Sequence, residues 1–276
     1  MMTVMSKLVA QNIPQIFDRN VLAYRRKRAA ANFANYNFLH QRIADELCDR
    51  LVGQSRSFKT ALVLGSFGGL LANRLRAIEG LVEHIIETDL TPAMLPKDTP
   101  AMVMDAQYLA LAPSSCDLII SFWGLHHIND AVGTLIQIRQ ALKPNGVFIG
   151  AMAGGQTLEN LRTAFLTAES ELTGSAVMRV HPFADIKQFG SVMQRAQLDA
   201  PIIDSDIVTI NYAEVMRLLY DLRGMGESNC LMAQHRHMLR RDVLAQAIAH
   251  LKKQSPLADR VSVNFEIFYL MGTRPK

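Results

Sequence analysis

Cysteine is scarce in this chain. Its 276 residues contain three, Cys48, Cys116 and Cys230, and no two are close in sequence. No Cys-x-x-Cys pair occurs, which excludes a zinc knuckle and a disulfide framework and points to a reducing compartment. No apolar run approaches the roughly 18 residues that a membrane-spanning helix needs, so no integral membrane segment is expected. His-Glu-x-x-His and His-x-Asp elements are missing, and the sequence gives no reason to expect a metal site. Internal repeats, low-complexity tracts and known nucleic-acid modules are also missing, so no nucleic acid is expected as a partner. The opening stretch, residues 1–14, has neither a long apolar core nor a small-residue cleavage site, and a secretory leader is not expected.

What is present suits a folded globular chain. Hydrophobic residues make up 49% and charged residues 20%, with a net charge of +4. That length can bury a large core without metal or disulfide support. The 14 methionines read as adaptable core filler. The basic run Arg25-Arg26-Lys27-Arg28 reads as a solvated helix face rather than a nucleic-acid patch.

The chain divides at about residue 58. Residues 1–57 read as an N-terminal helical segment and 58–276 as the main domain. Within the latter, short apolar runs at 59–64, 82–88, 101–104, 117–122 and 147–152 each stop at a glycine, an acid or a polar loop. Buried parallel strands read this way. Helical spacing separates them at 70–77 and at 131–142, and Lys143-Pro-Asn-Gly146 reads as a turn after the second of these. Further helices are expected at 158–172 and 185–197, then strands at 204–210 and 265–271. The expectation is an α/β fold: a doubly wound, mostly parallel seven-stranded sheet. Residues 212–253 form a helical insertion between the last two strands and read as a lid. In it, a helix should stop at Gly224, and Ser228 or Asn229 should cap the next one.

Ligands of such a sheet bind beyond the carboxyl ends of its strands. Three strand ends carry suitable groups. The first opens into Gly65-Ser66-Phe67-Gly68-Gly69, where backbone can approach a ligand. The second ends at Asp89, placed to accept both ribose hydroxyls of a nucleoside, and the third at Asp105, placed to accept from an adenine amino group. Past the fourth lie His126 and His127, a candidate proton acceptor or substrate contact and its neighbour. His235 and His237, two apart on an expected helix, point in different directions and do not suggest a metal pair. Asp18-Arg19 reads either as a helix-start cap or as a pair folded over the crevice.

Several segments resemble class I S-adenosylmethionine-dependent methyltransferases: Glu87-Thr-Asp89 through Leu95, Asp105-Ala106, Ser115-Cys-Asp117-Leu-Ile-Ile and Ala141-Leu-Lys-Pro-Asn-Gly146. More narrowly, the chain resembles the methyltransferase-fold assembly factors of respiratory complex I and their bacterial relatives. The residues carrying this are Ile16–Arg19, Leu125-His126 with Asn129-Asp130, Gly146–Met152 with Gly154-Gly155 and Thr157-Leu158, and Asp221-Leu222 with Gly224–Asn229. The resemblance implies S-adenosylmethionine as cofactor, with Gly65, Ser66, Phe67 and Gly69 at its methionine end. It places Asp89 and Leu90 at the ribose, Asp105 and Ala106 at the adenine, and Ser121 beside them. It implies His126, Arg19, Glu227 and Asn229 as substrate contacts. The function implied is a methyltransferase-like protein; the alternatives are an assembly factor acting on a complex I subunit by arginine hydroxylation, or a cofactor-free scaffold. The compartment implied is the bacterial cytoplasm or the mitochondrial matrix. One departure stands out. Val63 replaces the acid, and Phe67 the middle glycine, of the wider family's first-strand motif, which predicts a weakened cofactor site.

Overall fold

The computed structural model describes residues 13–232, 238–257 and 259–276. His235 and His237 lie outside the described residues. Among the described residues, the α-helices α1 (Arg19–Ala30) and α2 (Phe38–Val52) precede the first strand. The rest runs β1 (Phe58–Leu64), α3 (Leu70–Ala77), β2 (Val82–Asp89), β3 (Ala101–Val103), β4 (Cys116–Phe122), α4 (Ala131–Ala141), β5 (Leu142–Ala153), α5 (Glu159–Thr173), α6 (Ile186–Arg195), β6 (Asp199–Tyr212), α7 (Val215–Met225), α8 (Arg241–Gln254) and β7 (Val261–Thr273).

Among the described residues these strands form one seven-stranded sheet in the order β3-β2-β1-β4-β5-β7-β6. β1 to β5 are parallel, and β7 runs antiparallel between β5 and β6. β1 shows why the sheet is buried on both faces. Ala61 and Val63 join the core under α2, α3 and α5, whereas Leu62 and Leu64 join the core under α4 and α6. Side chains that alternate between two covered faces give a continuous apolar run, not an alternating one.

β6 and β7 start earlier than expected, at Asp199 and Val261, and three further features differ from expectation. Lys143-Pro-Asn-Gly146 does not stand outside the strand: β5 runs through it, with a register shift against β4 and Asn145 at φ +60°. α7 continues past Gly224 to Met225 and ends at Gly226, which takes the left-handed conformation (φ +81°). Gly224 is needed for contact, since a Cβ there would lie 2.1 Å from the Tyr36 ring. Neither Ser228 nor Asn229 caps the next helix, which begins at Arg241 without a side-chain cap. The described helices between β6 and β7, α7 and α8, are built into the main core through Leu218, Met225, Val243, Ala247 and Leu251.

The N-terminal segment is tied to the same body. Asp18 caps α1 by accepting from the Asn20 and Val21 amides. The Asp18 amide donates to the Cys230 carbonyl at 2.7 Å, and the Met232 amide to the Ile16 carbonyl at 2.7 Å. Asn129 clamps this strap: its Oδ1 accepts from the Ile16 and Phe17 amides, both at 2.8 Å. Two segments singled out in the sequence, 16–19 and 129–130, are thereby joined to each other and to residues 230–232, which directly follow the third, 224–229. No helix among the described residues is long and apolar enough to cross a membrane.

Candidate functional site

The carboxyl ends of β1, β2 and β4 meet under α1. Gly65, Asp89, Leu90, Ala106 and Ser121 surround one small cavity there, together with Arg19 and Arg26. The cavity measures about 20 Å³, room for about one water. α1 is what fills it. Leu22, Arg26 and Ala29 are its buried residues, so Arg26 lies on the inward stripe and is not the solvated residue that the basic run suggests. Its guanidinium sits 3.7 Å from Asp89 Oδ1 and 4.6 Å over the Phe67 ring, and it donates to the Trp123 carbonyl at 3.3 Å. Burial pushes the Asp89 carboxyl above its ordinary range despite the positive charge of Arg26.

Asp105 is also engaged. Arg19 grips it with two hydrogen bonds, of 2.6 and 3.1 Å, and donates to the His127 carbonyl at 3.0 Å. The glycine turn is occupied by its own side chains. Ser66 Oγ donates to Glu87 at 2.7 Å and accepts from the Gly69 amide. Phe67, at φ +46°, packs its ring among Phe33, His40 and Phe122. That ring covers Gly65: a Cβ built on Gly65 would be 3.2 Å from Phe67 Cε2. Val63, where an acid would be expected, is fully buried core.

A second centre lies beyond β4. His126 and His127 come from the turn after Phe122, His181 from the loop before α6, and Glu227 from the residue after the Gly226 cap. Glu227 Oε2 is 3.2 Å from His126 Nε2 and 3.7 Å from His127 Nδ1. His127 Nε2 is 3.2 Å from His181 Nε2, and His181 Nδ1 is 3.4 Å from the Pro182 carbonyl. The rings of Phe17, Trp123 and Phe183 enclose the group.

The partners assign the tautomers. A carbonyl only accepts, so His181 Nδ1 carries a proton and its Nε2 is bare. His127 therefore donates through Nε2, which leaves Nδ1 bare and facing Glu227. The Ala153 amide donates to His126 Nδ1 at 3.3 Å, so His126 gives its Nε2 proton to Glu227. Burial, with neighbouring imidazole charge, holds His127 well below the ordinary histidine value and takes His181 down to about 4. Glu227 is held below its ordinary value: burial pushes it up, but the His126 hydrogen bond and surrounding positive charge outweigh that. A carboxylate thus faces a neutral imidazole lone pair. Neither His127 Nδ1 nor Glu227 Oε1 has a hydrogen-bond partner.

A groove of about 390 Å³ leads to Glu227 from outside. Leu158, Phe165, Phe183 and Leu222 form its walls, and Arg28 and Arg223 stand at its mouth. Asn229 does not face Glu227. It donates to the Met178 carbonyl and accepts from the Leu231 amide. The candidate substrate contacts therefore separate: His126 and Glu227 meet, Arg19 serves Asp105, and Asn229 holds loops together. The sequence pointed to His126 and Glu227 singly; His181 and the inward Arg26 were missed.

The strand order and the glycine turn with acids at successive strand ends define a class I methyltransferase fold. Residues 62–150 match the family described as "Methyltransferase domain". The YcgJ protein of Bacillus subtilis superposes with a TM-score of 0.55 at 17% identity, covering 80% of this chain and 94% of its own. A SAM-dependent methyltransferase of Thermotoga maritima superposes at 0.51 and 11% identity, covering 92% and 99%. Over nearly the whole length the similarity is more particular. The Danio rerio protein named "Arginine-hydroxylase NDUFAF5, mitochondrial" is 32% identical over 269 residues, 94% of this chain and 83% of that one. The chain belongs to this NDUFAF5 family of methyltransferase-fold proteins.

Proposed function

We propose that this chain acts on a protein subunit of respiratory complex I during assembly, by hydroxylating an arginine side chain with one atom of dioxygen while an external two-electron reductant takes the other to water, and that it does so without S-adenosylmethionine. The observation that carries the reading is an open groove that reaches Glu227, the carboxylate of the buried His126–His127–Glu227 centre. An arginine side chain is long and thin enough to enter such a groove with its stem against Leu158, Phe165 and Leu222. The negative charge of Glu227 favours a cationic guest, while Arg28 and Arg223 at the mouth suit acidic residues on either side of the target arginine. The family membership supports the arginine chemistry, since the relative is named for it.

The residues at the nucleoside crevice do not fit S-adenosylmethionine as they stand. A cofactor site of that size measures hundreds of cubic ångströms; here about 20 Å³ is left. Arg26 and Arg19 already hold the two acids that would take the ribose and adenine. Phe67 covers the glycine turn, and methyl transfer is not part of the proposed reaction. The proposed compartment is the bacterial cytoplasm or the mitochondrial matrix.

The test is deletion of the gene in its own organism, followed by mass spectrometry of the complex I subunits and assay of the assembled enzyme. The expected result is an arginine that loses a one-oxygen mass increase, together with reduced complex I. Unmodified arginines in both strains, or normal complex I in the deletion strain, would overturn the reading.

A further inference from the structure

We propose that His126, His127 and Glu227 form a binding site for one divalent transition-metal ion. The inference deepens the hydroxylase reading and rests on it only for its purpose: inserting oxygen into an arginine needs an oxidant-activating group, and no amino-acid side chain is one.

The three residues offer ligand atoms that all lie within 4.8 Å of one another. Two imidazole nitrogens and one carboxylate oxygen, with positions left open, are the donor set of non-haem Fe(II) sites. Donor atoms about 2.1 Å from one ion stand roughly 3 Å apart. The Glu227–His126 and Glu227–His127 separations of 3.2 and 3.7 Å are close to that.

The second observation is the mismatch at the centre. His127 Nδ1 and Glu227 Oε1 are buried and have no hydrogen-bond partner, although buried polar atoms of folded proteins nearly always have one. His127 Nδ1 faces the other oxygen, Glu227 Oε2, at 3.7 Å, and a bare imidazole nitrogen beside a carboxylate that keeps an unpartnered oxygen suits a positive species. The space left also sets its size. The cavity that His126 and Glu227 line, with His127 just outside its lining, is about 20 Å³, enough for a water-sized occupant and too small for a guanidinium. The arginine would then stop in the groove, beside the ion.

The surroundings prepare His127 as a ligand. His181 accepts its Nε2 proton and so keeps Nδ1 bare, the outer-sphere arrangement that fixes the tautomer of metal-bound histidines. His126 must change. To bind through Nε2 it moves its proton to Nδ1 and gives up the 3.3 Å bond from Ala153, the longest polar contact His126 makes. His181 is accordingly a positioning residue.

The test is anaerobic titration of the full-length, tag-free protein with Co(II), read by visible absorption, with Fe(II) content measured separately by elemental analysis. One ion per chain is expected, with bands of a low-symmetry nitrogen and oxygen site. Glu227→Gln and His127→Ala, each checked for folding by circular dichroism, should abolish the bands. His181→Phe keeps all three ligands and should weaken binding by about 10- to 100-fold. No stoichiometric binding, meaning a water only in the cavity, overturns the proposal. So do bands that persist in both ligand variants, which would put the ion at other histidines. If the metal is bound but deletion leaves the arginine's modification state unchanged, the hydroxylase reading fails alone. If arginine modification is lost on deletion but no metal binds, the metal site fails alone.

Discussion

The Arg26 guanidinium stands 3.7 Å from Asp89 Oδ1, inside the crevice where a nucleoside cofactor would place its ribose. The relationship is held from both sides. Arg26 lies over the Phe67 ring, and Phe67 is itself locked among Phe33, His40 and Phe122. A charged residue this deeply buried is stable only with partners, and Asp89, the Trp123 carbonyl and the ring supply them. The departure at Phe67 and the inward turn of Arg26 are therefore one structural change, which closes the crevice from the chain's own side.

This closure predicts the response to the cofactor. Calorimetric titration of the wild-type protein with S-adenosylmethionine or its demethylated product should give no binding heat at millimolar ligand. Phe67→Gly alone should not restore binding, because Arg26 still faces Asp89. Phe67→Gly with Arg26→Ala and Val63→Asp should produce measurable binding if the variant folds. Tight binding by the wild type would show that α1 opens readily and that the crevice is a working site.

His40 offers a test of stability. Its ring is fully buried between Phe33 and Phe67, and neither nitrogen has a hydrogen-bond partner. Burial takes it down to about 3, so it is neutral in the fold. A buried polar group left unpaired costs about 1–3 kcal/mol. His40→Leu, of similar size, should raise the urea midpoint by an amount equivalent to about 1–2 kcal/mol at neutral pH. A lower midpoint would mean that His40 has a partner, such as a buried water.

Much of the sheet was legible because its chemistry is local. Buried parallel strands must be apolar throughout, and Ala61–Leu64 and Leu118–Ile120 are. The site was legible only where one segment carries it. Gly65–Gly69, Asp89 and Asp105 follow from strand ends, but their occupants do not. Arg26 was hidden in a basic run, although it falls with Leu22 and Ala29 on one helical stripe. That spacing is the signal that separates it from Arg25 and Lys27. The His126–Glu227 contact joins residues 101 apart, and no periodicity links two loops. Only their separate appearance in motif-like segments pointed to them. The strand running through Pro144 was missed because a turn sequence can also be accommodated as a bulge.

The Gly224–Asn229 segment gives a prediction that distinguishes its two glycines. A Cβ at 224 would fall within 2.1 Å of the Tyr36 ring, whose neighbour Phe33 supports Phe67. Tyr36 would have to leave, and overpacking of this kind costs about 1–3 kcal/mol or more. Gly226 has φ +81° and its Cβ would be 3.3 Å from the Arg26 backbone. Gly226→Ala should cost about 1–2 kcal/mol from the left-handed conformation and also shift α1. Gly224→Ala should therefore lower thermal stability more, whereas Gly226→Ala should more strongly disturb the Glu227 centre, read as Co(II) absorption. Equal effects on both readouts would mean that the two glycines are not separable.

Acid should weaken the fold at pH values where most carboxylates are still charged. An exposed histidine takes up a proton near 6.5, whereas His181 in the fold does so only near 4 and His40 near 3. Between those values the unfolded chain binds more protons than the folded one, so stability rises with pH there. It is complete above about pH 6.5 and declines as the pH falls towards 4. The gap at His181 corresponds to roughly 3 kcal/mol in full and about 2 kcal/mol by pH 5. His127 adds to the loss, since it too is held down by burial. Asp89 acts in the opposite direction, because its raised carboxyl takes up a proton in the fold first, but it is one group against three. Urea midpoints at about pH 7.5 and pH 5 should therefore differ by several kcal/mol, with the lower stability at pH 5. His40→Leu should reduce that difference by about 2 kcal/mol. Equal midpoints at the two pH values in the wild type would show that these imidazoles are reached by water and are not the buried neutral groups described.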